Sequence, residues 1–262
     1  MKILNKYLIP FLFCLFTIST PLFPQSVEEL LKQGDEYLDS EFNLEKAMDA
    51  YQKADKLSPD NWEVNWRLSR TYVYAAEQMP DSTGEQKDAQ LAEYQKAYNF
   101  ADKAVKLAPD KSITYLRRGI ANGKIALFKG VFSVASVVNS VRDDCKKAIS
   151  LGNGGNYTQA LAHYVLGRTN AKVSEKWAPA RAILGLGWAD IDTAIDEYNI
   201  AIKLYPNFRM FYLDLAKAYI REDEYAKAKE MLKNTIASPK RDFNDDSLLP
   251  EAKELQEQIK DE

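Results

Sequence analysis

The chain has 262 residues, of which 46% are hydrophobic, so it has room for one large domain or two small ones and is too apolar to be disordered throughout. Its 35 basic and 38 acidic side chains give a formal net charge of −3, which argues against a nucleic-acid-binding protein because such proteins usually carry a clear basic excess. The two cysteines, Cys14 and Cys145, lie on either side of a predicted cleavage site, so we expect no internal disulfide in the processed chain.

Residues 1–26 differ from the rest of the chain and have the layout of a secretory signal peptide. Two lysines form a short basic head, residues 7–18 are apolar apart from one threonine, and small or turn-forming residues follow. A retained membrane anchor is the alternative, but the apolar run is shorter than the roughly 20 residues that span a bilayer and contains Pro10. We therefore expect an exported protein, periplasmic or secreted, with cleavage near Ser26 and a helical domain over residues 27–262.

From residue 27 onward, apolar side chains recur with the 3.6-residue period of amphipathic helices, and no stretch alternates as a strand does. The domain is therefore predicted to be all-α. Three segments are variants of one unit, in which two alanines, an aromatic or small residue and a proline recur at the same spacing. They are AMDAYQKADKLSPDN (47–61), AYNFADKAVKLAPDK (97–111) and AIDEYNIAIKLYPNF (194–208), with a weaker copy in CKKAISLGN (145–153).

Another predicted helix precedes each copy and so forms the first helix of a pair. It carries a small residue beside leucine or tyrosine, as in LLKQGDEYL, NWRLSRTY, YLRRGIAN, HYVLGRTN and YLDLAKAY. This combination is typical of the tetratricopeptide repeat (TPR), a helix–turn–helix unit of 34 residues. Small residues such as Gly34, Gly119 and Gly167 let two antiparallel helices approach closely, and proline ends the second helix. We predict a TPR-like α-solenoid of about five helix pairs, followed by a charged C-terminal capping helix within residues 245–262.

Three of the repeats exceed 34 residues, by 16, 10 and 19, and the extra length lies between the two helices of a pair. The first insertion, QMPDSTGEQKDAQLAEYQ, is polar and predicts a loop with longer flanking helices. The second, residues 125–141, is apolar and has one ionisable residue from position 126 on, Lys129. The third is also apolar between Trp177 and Trp188, so two apolar insertions occur in consecutive repeats.

The second insertion must be covered in the folded protein. Eight of its larger apolar side chains, each worth roughly 1.5–3 kcal/mol when buried, would together forfeit about 12–24 kcal/mol if exposed. That loss equals or exceeds a typical total stability of about 5–15 kcal/mol. Three alternatives remain for what covers the second insertion. It packs on the third insertion, it lines an apolar cleft for a hydrophobic ligand or partner helix, or it inserts into a bilayer. The bilayer alternative lacks the basic polar face of an interfacial helix.

The succession of segments between Tyr115 and Tyr219 resembles a known family. YLRRGIANGKIALFKGV, CKKAISL, ALAHYVLGR, a tryptophan-bearing insertion with ARAILGLG, AIDEYNIAIKLYPN and FYLDLAKAYI follow one another in this order. The order is similar to that in the TPR domain of the regulator of microtubule dynamics protein family and its bacterial relatives. The resemblance implies an all-α scaffold without catalytic residues, whose eukaryotic members associate with microtubules or membranes. Because the predicted signal peptide makes a microtubule partner implausible, only the fold and a binding role carry over.

No segment carries a pattern for catalysis or for a cofactor. His163 is the only histidine and falls at a helix-packing position, and no second histidine or cysteine accompanies it to form a zinc site or a catalytic triad. The glycines of GNGG (152–155) follow a helix, which favours a C-cap over a phosphate-binding loop. We therefore expect no enzyme activity, no metal and no cofactor.

The first helix of each pair should line a concave groove that binds the partner. Counted from the glycine positions, the residues expected to face it are Trp66, Arg70, Leu116, Ile120, Lys124, Tyr164, Arg168, Lys172, Leu213 and Lys217. Aromatic and cationic side chains together suit an acidic or C-terminal peptide with an apolar anchor, although such cations are equally explained as solvated surface groups. The first hypothesis is an exported scaffold for a protein or peptide partner. The second is a carrier that encloses a lipid-like ligand between residues 125–141 and 177–188.

Overall fold

A computed structural model of the protein describes residues 25–129 and 135–262, so nearly all of the predicted signal peptide lies outside the described part. The described residues form twelve α-helices and no β-strand, as the all-α prediction requires. In chain order they are α1 (Val27–Asp39), α2 (Leu44–Leu57), α3 (Trp62–Glu77), α4 (Gly84–Leu107), α5 (Ser112–Lys129), α6 (Ala135–Leu151), α7 (Gly155–Ser174), α8 (Ala178–Ile183), α9 (Ile191–Leu204), α10 (Arg209–Arg221), α11 (Tyr225–Ala237) and α12 (Leu248–Gln258). None of these helices combines the length and the apolar character that a bilayer crossing demands.

Five helix pairs follow one another along the chain. Helix α1 packs on α2, α3 on α4, α5 on α6, α7 on α9 and α10 on α11, and the second helix of each pair packs on the first helix of the next. Helix α12 packs on α11, where it buries Ala252 and Ile259 and leaves its charged side chains exposed. The predicted five-pair solenoid with a capping helix is therefore confirmed.

Local signals in the sequence set the ends of these helices. Pro59, Pro109 and Pro206 each lie two residues beyond the end of a second helix, because proline cannot continue the backbone hydrogen-bond ladder. At helix starts, polar side chains accept hydrogen bonds from amides that have no intrahelical partner. The Asn61 side-chain carbonyl oxygen accepts from the Glu63 amide at 2.8 Å, for example. The repeated unit is thus delimited by residues within and next to it.

The glycines of the repeat differ in how much space the neighbouring helix leaves for a side chain. A Cβ atom added at Gly34 would lie 2.3 Å from the Tyr51 ring, and one added at Gly167 would lie 3.0 Å from the Tyr198 ring. The predicted close approach is confirmed at these two glycines. At Gly119 the added atom would meet its nearest neighbour at 3.4 Å, an ordinary contact distance, so the approach is less close there and a methyl group has room.

The first insertion forms a loop over residues 78–83 between two long helices, as predicted, and α4 alone spans 24 residues. Described residues of the second insertion pack on the third. Ala126 and Val138 share a buried cluster with Leu186, and the Trp188 indole N–H donates to Asn139 Oδ1 at 2.8 Å. Packing of one insertion on the other is therefore the arrangement found in the described part. Residues 130–134, which include three of the eight apolar side chains considered above, lie outside it.

The other half of the third insertion is not covered. Trp177 is 73% exposed and Ile183 is 85% exposed, whereas Leu186 is fully buried. The sequence treats the whole stretch as one apolar block, but only its second half, from Leu184 on, contributes to the core. Residues 177–183 form the short helix α8 and its approach, on the protein surface.

A C-terminal segment crosses back to the second helix pair, a contact that the sequence did not predict. This segment, residues 240–247, is called the clasp below. The Tyr74 hydroxyl donates to Asp242 Oδ2 at 2.5 Å, and the Asn244 side-chain amide donates to Glu77 Oε2 at 2.5 Å. The ring of Phe243 packs against that of Tyr74 in a tilted arrangement, with centroids 5.6 Å apart. The clasp therefore joins the end of the solenoid to α3 across the concave face.

Candidate functional site

The concave face and the clasp together surround a cavity of about 650 Å³. Helices α3, α5, α6, α7 and α10 supply most of its wall, and the clasp and the start of α12 supply the rest. The volume lies within the roughly 300–1,000 Å³ that is usual for sites that bind small molecules. A short peptide segment or a small ligand fits such a space, but a folded domain does not.

Eight of the ten residues that the sequence placed on the groove line this cavity: Arg70, Ile120, Lys124, Tyr164, Arg168, Lys172, Leu213 and Lys217. Leu116 does not, because α7 covers it and it is fully buried in the same cluster as Leu161 and Tyr164. The expectation that Leu116 faces the groove is therefore wrong. Trp66 is also absent from the wall; its half-buried ring lies against the guanidinium of Arg67, 4.3 Å from the ring centroid.

Many side chains of the cavity wall are apolar. They come from α3, α5, α6, α7 and α10 and include Val73, Ile120, Leu127, Val138, Val141, Leu161, Val165, Val173 and Leu213. Val138 and Val173 also belong to the cluster in which the second and third insertions meet. The apolar insertions thus serve as core on one side and contribute to the cavity wall on the other.

Charged side chains make up much of the remaining wall. Six cationic residues and four carboxylates line the cavity, an excess of two positive charges in a chain whose formal charge is −3. Five of the cations have a carboxylate within 4 Å, in the pairs Arg70–Asp39, Lys124–Glu77, Arg168–Asp214, Lys172–Glu175 and Lys217–Glu251. All five predicted cations are therefore already paired with carboxylates.

A polar network around Asp214 holds the α7 and α10 walls together. The Tyr164 hydroxyl donates to Asp214 Oδ2 at 2.8 Å and accepts from Arg168 Nη1 at 3.0 Å. Burial raises the pKa of Asp214, but the charges of Arg168 and Lys217 outweigh it and hold that pKa below its usual range. The carboxylate is therefore stable in its charged form and fixes both cations at the wall.

Arg117 is the sixth cation of the wall, and sequence reasoning missed it. It is only 6% exposed, and no described residue accepts a hydrogen bond from it or forms an ion pair with it. Its guanidinium carbon lies 5.7 Å from the centroid of the Trp66 ring. Burial lowers the pKa of Arg117, and the nearby charge of Arg70 lowers it further. A signal was present, since Arg117, Ile120 and Lys124 share one helix face at spacings of three and four.

His163 lies outside the cavity wall. Its Nδ1 is 2.5 Å from Glu197 Oε2, so it links α7 to α9, in agreement with the structural role expected from the sequence. Within the described ranges, no three His, Cys, Asp or Glu side chains are grouped closely enough to hold a metal ion.

Solved structures that are similar to this one include a protein described as a TPR protein. TTC0263, a thermophilic TPR protein of Thermus thermophilus, superposes with a TM-score of 0.59 at 16% identity, over 87% of this chain and 98% of that one. PilW, a type IV pilus biogenesis factor, gives 0.55 at 15% identity over 89% and 88% of the two chains. Pseudomonas aeruginosa PilF gives 0.54 at 12% identity over 89% and 91%. These likenesses establish the TPR fold alone. A comparison with curated protein sequences gives no match.

A family model extends the resemblance noted between Tyr115 and Tyr219 to almost the entire described chain. The model described as Regulator of microtubule dynamics protein 1-3 matches residues 30–260, from the first turn of α1 to beyond the end of α12. The match includes all five helix pairs, the three insertions and the clasp. The chain therefore belongs to the Regulator of microtubule dynamics protein 1-3 family.

Proposed function

We propose that the protein is a non-enzymatic TPR scaffold that binds a short peptide segment of a protein partner in the concave cavity. The observation that carries the proposal is the make-up of the cavity wall, which combines many larger aliphatic side chains with six cations. A peptide offers apolar side chains, a polar backbone and charged groups, so it can contact both the apolar and the cationic residues of such a wall. The volume of about 650 Å³ favours a few residues rather than a folded surface.

The eight predicted residues that line the cavity are proposed to divide the recognition between them. Ile120 and Leu213 would contact an apolar side chain of the peptide, and Tyr164 would contact its backbone. The five cations among them are proposed to attract an acidic segment, with their present carboxylate partners limiting how much new charge each can accept. We do not carry over a microtubule partner from the family's description, because the predicted signal peptide argues against a cytosolic one.

A substitution that fills the cavity tests whether the peptide binds there. Gly123 lines the cavity, and a Cβ atom added there meets nothing within 4 Å, so Gly123→Trp should occupy the space without disturbing the helices. Peptides selected from a random displayed library against the unaltered protein should bind Gly123→Trp at least about tenfold more weakly, because the indole takes the volume that the peptide needs. Gly84→Trp is the matched control, since Gly84 is exposed, equally unhindered and remote from the cavity wall. Selected peptides that bind both variants equally well would place binding outside the cavity.

The N-terminal 26 residues are proposed to be a signal peptide that exports the domain to the periplasm or the medium. Their basic head and short apolar run support this proposal. Intact-mass measurement of the protein purified from its native cells should give a chain shortened by about this segment. An uncut chain recovered in the membrane fraction would favour the anchor instead.

A carrier for a lipid-like ligand is the second candidate, and the apolar residues of the cavity wall favour it. Val138, Val173 and Ala126 join the wall to the cluster between the two insertions, so a hydrophobic chain has an apolar surface to lie on. Extraction of the purified protein with organic solvent, followed by mass spectrometry, separates the two functions. A stoichiometric lipid supports the carrier, and an extract without lipid removes it.

A further inference from the structure

Arg117 differs from every other cation of the cavity wall because it has no anionic partner. The other five each have a carboxylate within 4 Å, whereas the Arg117 guanidinium has no acceptor among the described residues and its Nε is buried. A buried charge without a partner is costly, so a folded protein rarely keeps one that has no role. The position of Arg117 on the cavity wall suggests that its partner arrives with a ligand.

None of the groups around Arg117 accepts a hydrogen bond from it. Arg70 is only 8% exposed and uses one Nη on Asp39 at 2.5 Å, while its Nε also lacks a partner. Asp242 is close by, but its two oxygens accept from the Tyr74 hydroxyl and the Asn244 backbone amide, and no ion pair joins it to Arg117. The remaining neighbours, Tyr74 and Tyr157, are neutral because burial raises the pKa of each phenol. The Arg117 guanidinium is therefore left without a hydrogen-bond acceptor, although two carboxylates lie in its surroundings.

We propose that Arg117, assisted by Arg70, forms a subsite for the terminal carboxylate of the bound peptide. The inference rests on the proposed function and names the part of the peptide that enters the cavity. A guanidinium matches a carboxylate in plane and spacing, and two N–H groups can donate to its two oxygens. A carboxylate would supply the acceptors that the Arg117 guanidinium lacks, and its single charge would be repelled less by the nearby Asp39 and Asp242 carboxylates than a phosphate dianion would be.

The shape of the site favours a chain end over an internal acidic side chain. The clasp bounds the cavity next to Tyr74. A peptide whose chain ends at this boundary does not have to continue past the clasp, whereas an internal segment does. Ile120 lies one turn from Arg117 and Val73 lies one turn from Arg70, and both line the cavity. We therefore expect an apolar last residue, whose side chain packs on these two while its carboxylate meets the arginines.

The test compares peptides that differ only in the terminal group. A set of short fluorescein-labelled peptides is made in which each member ends in a different apolar residue. Each peptide is titrated into the full processed protein both as the free acid and as the C-terminal amide. The free acid of the best binder should bind at least about tenfold more tightly than its amide, because the amide cannot form the charge-assisted hydrogen bonds. Equal binding of acid and amide to the unaltered protein would overturn the subsite and leave the proposed peptide function standing. If no peptide binds, and Gly123→Trp does not differ from the unaltered protein in peptide binding, both the subsite and the proposed peptide function are overturned.

Two arginine variants complete the test. Arg117→Gln should abolish the preference for the acid and should raise the melting temperature of the empty protein, because it removes an unpaired buried charge. Arg118→Gln is the matched control: Arg118 makes two hydrogen bonds to Asp144, at 2.9 and 2.7 Å, and does not line the cavity. It should lower the melting temperature and keep the acid preference. A preference that survives Arg117→Gln contradicts the assignment, and if that variant does not fold, the acid–amide comparison on the unaltered protein still decides.

A fatty acid and its methyl ester form the last arm of the experiment. Both compounds are titrated into the same protein, and a fluorescent polyunsaturated chain serves as the probe that reports their binding. A preference for the fatty acid over its ester, together with no difference between peptide acids and amides, would overturn the peptide terminus and assign the arginines to a lipid carboxylate. Discrimination confined to the peptides supports the proposal as stated.

Discussion

Gly34 illustrates how single residues hold the helix pairs together. The ring of Tyr51 occupies the space where a side chain at this position would lie, at 2.3 Å from the ideal Cβ. The Tyr51 hydroxyl donates to Asp35 Oδ1 at 2.7 Å, and Arg67 donates to both oxygens of the same carboxylate, also at 2.7 Å. The ring is therefore held by packing at one end and by a polar network at the other, and it cannot move aside.

This arrangement predicts opposite effects for the same substitution at two glycines. Gly34→Ala should lower the free energy of unfolding by about 1–2 kcal/mol, because overpacking against the fixed ring outweighs the gain of about 1 kcal/mol in helix propensity. Gly119→Ala has room for its methyl group, so it should raise that free energy by up to about 1 kcal/mol. Urea denaturation of both variants measures the difference. A loss of stability at Gly119 as large as that at Gly34 would contradict this reading of the two contacts.

At the scale of elements, the third insertion divides into a packed half and an exposed half. Trp188 donates to Asn139 on α6, and the Arg142 guanidinium lies 4.8 Å from the centroid of its ring. Trp177, at the other end of the insertion, is 73% exposed. One tryptophan therefore joins two insertions, while the other makes little contact.

The two tryptophans provide a matched pair of variants. Trp188→Ala should reduce the free energy of unfolding by about 2–3 kcal/mol, less than the roughly 3–5 kcal/mol for a fully buried aromatic because its ring is only half buried. Trp177→Ala should change it by no more than about 0.5 kcal/mol, as is usual for surface positions. Thermal or chemical denaturation followed by circular dichroism distinguishes them. Equal losses from both variants would mean that the exposed half is packed in solution.

At the scale of the whole molecule, the clasp turns an open solenoid into a structure with a bounded cavity. Its contacts join residues far apart in sequence, for example Tyr74 and Asp242, which are separated by 168 positions. The clasp also supplies part of the cavity wall, at Asp242, Asn244 and Ser247. The size of the candidate site therefore depends on how firmly the last part of the chain is held to the second helix pair.

Removal of one hydroxyl tests how the clasp is held. Tyr74→Phe deletes the hydrogen bond to the buried Asp242 carboxylate and should cost about 1.5–3 kcal/mol, the usual range for bonds to charged groups. Amide hydrogen exchange over residues 240–247 should become faster, since these residues lose an anchor. Tyr72→Phe is the control, because the Tyr72 hydroxyl only accepts a 3.5 Å hydrogen bond from Gln52 on the surface. Unchanged exchange over the clasp in Tyr74→Phe would show that other contacts hold it.

The candidate site was only partly predictable from the helix periodicity. Counting from the glycines identified eight residues of the wall, since side chains three and four apart share a helix face. The same counting placed Leu116 on the wall, because periodicity within one helix does not reveal that a neighbouring helix covers its first turn. It also passed over Arg117, whose lack of a partner depends on where acidic side chains of other helices lie.

The sequence by itself determined that the protein is an all-α array of TPR hairpins, because helix ends, prolines and the buried alanines act within one repeat or between adjacent repeats. Only the tertiary structure decided that the array is clasped across its concave face, that half of one apolar insertion stays exposed, and that one arginine of the wall is unpaired. These features depend on contacts between residues far apart in the chain. Such contacts leave no periodic signal, since each requires only that two side chains of suitable chemistry meet once the solenoid has curved.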